Sequence, residues 1–254
     1  MAIVLRSRAQ IAQARKSGRL VARTYEALRP HVRPGVTTLE LDAIAEDFVR
    51  SNGATPVYKG YKGRGTVPFP GTLCVAINNV ICHGIPDGTR LRQGDIIGID
   101  IGVLLDGWVG DACVTWGVGQ ISAQAQRLLD VAEEAMWRGV RAARGNANLG
   151  DIGNAIEPYV NSHGFSVVQE WTGHGVGQRL HEEPTVVHTA GKKIMRLRPG
   201  MIFTVEPMVN VGRPGAVLDE HDHWTVRTED GSLSAQFEHS LAVTDGEPEI
   251  LTLP

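Results

Sequence analysis

The sequence predicts an α+β domain of two similar halves, in which paired amphipathic helices precede β-strands. Three observations carry that expectation. Ser7-Arg-Ala-Gln10 and Thr37-Thr-Leu-Glu40 are capping boxes, each set ahead of apolar residues at helical spacing. Residues 94–115 alternate β-forming side chains about Asp106-Gly107, the dipeptide suited to a two-residue hairpin turn. The helical pattern then returns. At a constant offset of 111 positions, Leu41, Ala45, Phe48, Val49 and Gly53 fall on Ile152, Ile156, Tyr159, Val160 and Gly164. The match requires a one-residue slip in the preceding turn, and convergent amphipathic patterning is its alternative. A single domain over residues 1–254, with halves of about 7–120 and 121–245, is the expectation.

Taken in order, the first helix carries Ile11, Ala14, Gly18, Val21, Ala22, Tyr25 and Leu28 and stops before Pro30. Pro34-Gly35 is a turn. The second helix runs from the Thr37 box to about Asn52, buries Leu41, Ile44, Ala45, Phe48 and Val49, and ends at Gly53. Residues 58–65 read as a basic, glycine-rich loop and Phe69-Pro-Gly as a turn. Residues 73–81 read as one strand, followed by Cys82-His83-Gly84-Ile85-Pro86. In the hairpin, Ile96, Ile97, Ile99, Ile101 and Val103 answer Trp108, Val109, Val114 and Thr115. A turn at Asp106-Gly107 sets Leu105 opposite Trp108 and Gly102 opposite Asp111. Asp100 then shares a face with Asp111 as its diagonal neighbour, about 7–8 Å away at Cα. A bulge would alter that register.

In the second half, Ser122 caps a helix bearing Leu128, Leu129, Val131, Ala132, Ala135, Met136 and Val140. Gly145-Asn-Ala-Asn148 turns into another, closed by His163-Gly164. Strands are expected to hold residues 173–177 and 180–184 and to cover residues 201–205, 224–228 and 236–243. The last of these returns across Glu229-Asp-Gly-Ser.

Composition narrows the function classes. A net charge of −3 with 21% charged residues argues against a nucleic-acid-binding surface. No apolar run approaches membrane-spanning length, and MAIVLRSRAQ is not a secretory leader. Cys74, Cys82 and Cys113 are odd in number and lack metal-type spacing, so reduced thiols in a cytoplasmic protein are expected.

Several polar residues interrupt apolar segments: Asp100, Asp111, Glu206 at the end of an apolar strand, Glu238 within Gln-Phe-Glu-His, and His174 between glycines. Each alone reads as a surface or paired group, with Arg92 or Lys59 the expected partner of Asp100. Together, four carboxylates and one imidazole cannot share a low-dielectric site without protonation, and two divalent ions would cancel their charge. The donor types suit Mn, Fe, Co or Zn, and ions of this kind generate a hydroxide nucleophile near neutral pH. Strand alternation turns His239 away from such a site. HEEPT is no zincin motif, because Thr185 stands where the second histidine would be.

CHGIP at residues 82–86, Asp100 and Asp111, GHGVG at 173–177, HEEP at 181–184, PGMIFTVEPM and SLSAQFEHS together resemble type I methionine aminopeptidase, in its short bacterial form. The resemblance runs in order over residues 7–244. It implies the pita-bread fold, a curved antiparallel sheet covered by helices around a dinuclear metal site. It implies metal ligation by Asp100, Asp111, His174, Glu206 and Glu238, with Asp111 and Glu238 bridging two divalent ions (Co, Mn, Fe or Zn). His83 and His181 then contact substrate, His181 at the scissile carbonyl and His83 on the nitrogen side, while Glu206 carries the proton from water to the leaving amine. Phe69, Cys74 and Trp224 match positions of the methionine pocket. Leu180 departs from an aromatic position, and residues 63–68 depart from an aromatic stretch. Asn78, Val80 and Ser234 match positions that hold a monovalent cation.

The activity so implied is removal of initiator methionine from nascent polypeptide N-termini with a small second residue. A monomer with transient ribosome contact, no nucleic-acid recognition and no membrane is expected. Xaa-Pro aminopeptidase or prolidase activity is the rival enzyme reading, and a non-catalytic binding protein on the same fold is the rival of another class.

Overall fold

The computed structural model describes residues 3–63 and 67–254. Arg64, Gly65 and Thr66 of the basic loop, and thus part of the unusual stretch before Phe69, lie outside the described residues, as do Met1 and Ala2.

Helices α1 (Arg8–Leu28) and α2 (Thr38–Ser51) begin where their capping boxes require. Ser7 and Thr37 each accept an N–H from the third helical residue, and Gln10 and Glu40 reach back to the cap. A short 3-10 turn, Arg29–His31, follows α1 at Pro30. Strands β1 (Thr55–Pro56), β2 (Leu73–Ile77), β3 (Val80–Cys82), β4 (Ile96–Leu105) and β5 (Trp108–Gly117) complete the first part. Helices α3 (Ala123–Ala142) and α4 (Gly150–Ser162) come next; Ser122 caps α3 through the Ala125 N–H. Then follow β6 (Ser166–Val167), β7 (Gly173–Gly175), β8 (Glu182–Val186), β9 (Ile202–Val205), β10 (Met208–Asn210), β11 (Ala216–Leu218), β12 (Val226–Thr228), β13 (Ser234–Gln236), β14 (Glu238–Ala242) and β15 (Glu249–Ile250).

The main antiparallel sheet runs β1-β4-β5-β14-β9-β7-β8, with β2 added on β4 and β15 on β14. Along β4, Ile97, Ile99, Ile101 and Val103 face a core shared with Leu20, Val21 and Leu28 of α1 and Leu41, Ala45 and Val49 of α2. Phe203, Val205 and Leu241 face a second core filled by α3 and α4. The residues offset by 111 are buried alike: Leu41 and Ile152, Ala45 and Ile156, and Val49 and Val160 are each 0% exposed. Gly110 lets α1 press onto the sheet, since a Cβ there would meet Ser17 backbone at 2.5 Å. These contacts give the expected α+β architecture, with the two helix pairs packed on an antiparallel sheet.

The β4–β5 hairpin has the expected register. Leu105 opposes Trp108 and Gly102 opposes Asp111. Asp106 and Gly107 both have positive φ (51° and 79°), as a type I′ turn demands.

Three strand expectations are corrected. Residues 73–81 are not one strand: Asn78, at φ 53°, turns β2 into β3 while its side chain bonds Asp95 and the Ile96 N–H. Residues 236–243 are likewise divided. Ser234–Gln236 pairs with β10 and Glu238–Ala242 with β5 and β9, so the chain changes sheets at Phe237. Residues 224–228 shorten to β12, which pairs β3 and β11 rather than the strand after Glu229.

Candidate metal centre

One rung of the sheet assembles the site. Cys74 opposes Asp100, Asp100 opposes Cys113, and Cys113 opposes Glu238, across β2, β4, β5 and β14. Because opposed residues share a face, Asp100 and Glu238 point with Asp111 to the side away from the α1–α2 core. Glu206 enters from the end of β9 and His174 from β7, the latter held by its N–H on Thr204 Oγ1 at 3.0 Å.

His174 Nε2 lies 3.7 Å from Asp111 Oδ2 and 3.6 Å from Glu206 Oε1. Among the described residues, Asp111, His174 and Glu238 offer ligand atoms that all fall within 4.8 Å of one another. Glu206 is held by the Thr204 hydroxyl (2.6 Å) and by Gln236 Nε2 (3.3 Å). The sequence expectation of Arg92 or Lys59 as partner of Asp100 is corrected: neither forms an ion pair with it. Lys59 Nζ is 2.6 Å from Glu46, and the Tyr58 hydroxyl instead donates toward Asp100.

A cationic metal fits this donor set on three observations. Glu238 Oε1 is buried with no hydrogen-bond partner. His174 Nδ1 lies 3.1 Å from the Gly175 carbonyl, which can only accept, so Nε2 presents a lone pair to two carboxylate oxygens. Burial pushes the carboxyls of Asp100, Asp111, Glu206 and Glu238 upward, Asp111 to about 7, while lowering His174 to about 3. Such crowding of lone pairs and negative charge is relieved by metal ions.

The other sequence-predicted residues surround this centre. The rings of His181 and His174 are 4.2 Å apart. His83 follows β3 at φ 56°, packs edge-on against Trp171 at 4.9 Å, and is lowered to about 4, first by burial and then by His181. Phe69, Cys74 and Leu180 share one apolar cluster, against which Trp224 packs. Phe69 meets Trp224 edge to face at 5.3 Å. His239 turns away, to Trp137 and the Thr252 hydroxyl at 2.8 Å. Asn78 and Ser234 meet through the Ser234 N–H and Asn78 carbonyl (2.8 Å), with Ser234 Oγ buried and unpartnered.

Four residues went unread in the sequence. Tyr61 bonds His181 Nδ1 at 2.8 Å, and His188 Nε2 accepts the Glu206 N–H at 3.1 Å. Thr204 bonds Glu206 and the His174 N–H, and the Tyr58 hydroxyl lies against Asp100 and Asp111. For Tyr58 and Tyr61 a signal existed, aromatic residues in an otherwise basic loop, although their partners lie far along the chain; Thr204 and His188 depend wholly on distant segments meeting.

Comparison with known proteins gives the same picture. The sequence profile of metallopeptidase family M24 matches residues 12–245. The methionine aminopeptidase 1 of Bacillus subtilis (strain 168) is 45% identical, over 98% of this chain and 99% of its own. The crystal structure of methionine aminopeptidase from Rickettsia prowazekii superposes with a TM-score of 0.96 at 42% identity, covering 99% of this chain and 100% of that one. A prolidase from Pyrococcus furiosus shares the fold alone, with a TM-score of 0.77 at 19% identity; the match covers 99% of this chain and 66% of the prolidase.

Proposed function

This chain belongs to metallopeptidase family M24, and from that premise we propose that it hydrolyses the N-terminal methionine from nascent polypeptides and peptides whose second residue is small. The observation that carries the reading is the full-length 45% identity to a methionine aminopeptidase, joined to the convergence of Asp111, His174 and Glu238. The prolidase likeness extends to the fold only and does not favour Xaa-Pro substrates.

Asp100, Asp111, His174, Glu206 and Glu238 would hold two divalent ions; Co, Mn, Fe and Zn all suit these donors. When bound, the ions acidify water and polarise the scissile carbonyl. Glu206 takes the proton from the attacking water and delivers it to the leaving amine. His181 donates from Nε2 to the scissile carbonyl oxygen. Tyr61 supports that role, because a hydroxyl donating to Nδ1 leaves the proton on Nε2. His83 lies on the nitrogen side of the scissile bond. Burial disfavours the charged forms of both histidines, so they act as neutral donors. Phe69, Cys74 and Trp224 receive the methionine side chain, and Asn78, Val80 and Ser234 hold a monovalent cation. We read the protein as a cytoplasmic monomer of one catalytic domain, its pseudo-repeats spanning residues 7–120 and 121–245, with transient ribosome contact. Among the described residues, no helix is long and apolar enough to cross a membrane.

Release of free methionine from Met-Ala-Ser, compared with Met-Lys-Ser and Leu-Ala-Ser across Mn, Co, Fe and Zn, tests the proposal. Cleavage of Met-Ala-Ser alone is expected. No release with any metal overturns the substrate, and turnover of Xaa-Pro peptides instead would select the prolidase chemistry. Asp100→Ala is expected to abolish turnover with the circular dichroism spectrum retained; unchanged turnover refutes the assigned site.

A further inference from the structure

Tyr58 stands outside the ligand set but inside the site. Its hydroxyl lies 2.5 Å from Asp100 Oδ1 and 2.5 Å from Asp111 Oδ1, and the residue is 8% exposed. The backbone delivers it there. β1 pairs with β4 through Thr55–Leu104 and Pro56–Val103, and the Val57 N–H then bonds the Gly102 carbonyl at 3.1 Å. The Tyr58 ring lies over Gly102, which stands directly opposite Asp111 on the hairpin. A Cβ at Gly102 would meet Val57 Cγ2 at 2.4 Å and two Tyr58 ring carbons at 3.0 and 3.2 Å, so the missing side chain is what lets the Val57–Tyr58 segment lie against the hairpin.

We infer that Tyr58 is a positioning residue of the metal centre: set between Oδ1 of Asp100 and Oδ1 of Asp111, its single O–H donates to one of the two carboxylates at a time and so orients the pair for the ions they would bind. The inference rests on the proposed ligand roles of those two aspartates. For Asp111 the division of labour is visible, since Oδ1 faces the phenol while Oδ2 faces His174 Nε2 at 3.7 Å. No lysine or arginine among the described residues forms an ion pair with Asp100, and Lys59, next to Tyr58, is engaged by Glu46. Donors that bond the ligands rather than the metal fix ligand orientation, and losing one costs about 10–100-fold in affinity.

The test is cobalt(II) binding to the purified, metal-free full chain, by competition with a chromophoric chelator and by the visible absorption of the bound cobalt. Tyr58→Phe keeps the ring and removes the hydroxyl. It is expected to weaken cobalt binding by about 10–100-fold and to alter the visible bands. Gly102→Ala, which leaves Tyr58 in the chain but crowds Val57 and the Tyr58 ring, is expected to move both readouts in the same direction, and it decides the matter if Tyr58→Phe does not fold. Tyr25→Phe is the control for a buried hydroxyl on the same hairpin: its phenol bonds the carbonyls of Ile99 and Ala112, not the carboxylates. Wild-type affinity and spectrum in the folded Tyr58→Phe protein overturn the inference, as does equal weakening by Tyr25→Phe. A wild-type chain that binds no cobalt overturns the ligand assignment and the inference with it.

Discussion

At Thr204 one hydroxyl serves two of the site's side chains. It donates to Glu206 Oε1 at 2.6 Å and accepts the His174 N–H at 3.0 Å, in a position 0% exposed. Thr204→Val keeps the shape and removes both bonds. The buried His174 N–H then goes unpaired, which costs about 1–3 kcal/mol. Urea unfolding should show that loss, and kcat on Met-Ala-Ser should fall about tenfold (about 1.4 kcal/mol of barrier) as Glu206 loses its fixed orientation. Unchanged kcat would mean that Gln236, 3.3 Å from the other carboxylate oxygen, suffices to hold Glu206. Residues of this kind were hard to read in the sequence. A threonine in a β-strand is unremarkable by composition, and its value comes from β7 and β9 lying side by side. The partners of Tyr58 and His188 were opaque for the same reason. Each residue touches a group far away in the chain, Asp100 and Asp111 in one case and the Glu206 backbone in the other. Asp100, Asp111, His174, Glu206 and Glu238 were legible because polar side chains interrupt apolar strands there.

Elements whose ends are set by local chemistry were legible too. Ser7, Thr37 and Ser122 start helices through side-chain oxygens that bond N–H groups three residues on, and Asp106-Gly107 sets the hairpin register through its own backbone angles. The breaks at Asn78 and Phe237 escaped, because β2–β3 and β13–β14 are divided by which neighbour each segment pairs with, and no turn dipeptide marks the second break. Asp42 joins two such elements. From α2 its Oδ1 accepts the N–H groups of Thr72 and Leu73, both at 2.8 Å, fastening the helix to the start of β2. Asp42→Ala leaves those donors unpaired and should cost about 2 kcal/mol or more. Burial raises the Asp42 carboxyl above its ordinary value, outweighing those two N–H bonds, so the folded state holds the proton more tightly than the unfolded one. Wild-type stability from this group is therefore full at low pH and declines as pH rises through and above about 4. Asp42→Asn keeps an oxygen acceptor without that charge. Its stability relative to wild type should rise over the same interval in urea unfolding followed against pH; a flat difference would show that the two N–H bonds compensate the charge.

For the whole molecule, the buried carboxylates predict a native state whose stability responds to cations. Ions that bind only the folded chain stabilise it by about 2.7 kcal/mol at a hundredfold excess over Kd. Calorimetry should show a higher Tm on adding Mn or Co to metal-free protein, reversed by a chelator, and Glu238→Gln should shrink that gain. An unchanged Tm with metal would argue against binding at this centre. The rung that joins Cys74, Asp100, Cys113 and Glu238 carries a consequence for folding quality. A one-residue slip of β4 would swing Asp100 into a core and set Ile99 or Ile101 in its place at the site, and a slip of any other strand would turn its rung residue to the opposite face. Correct alignment of four strands, drawn from both ends of the chain, is thus a condition for taking up metal at all. In a refolding experiment the stoichiometry of tightly held cobalt would count the correctly aligned molecules, including against compact, misaligned forms whose far-ultraviolet spectra look native.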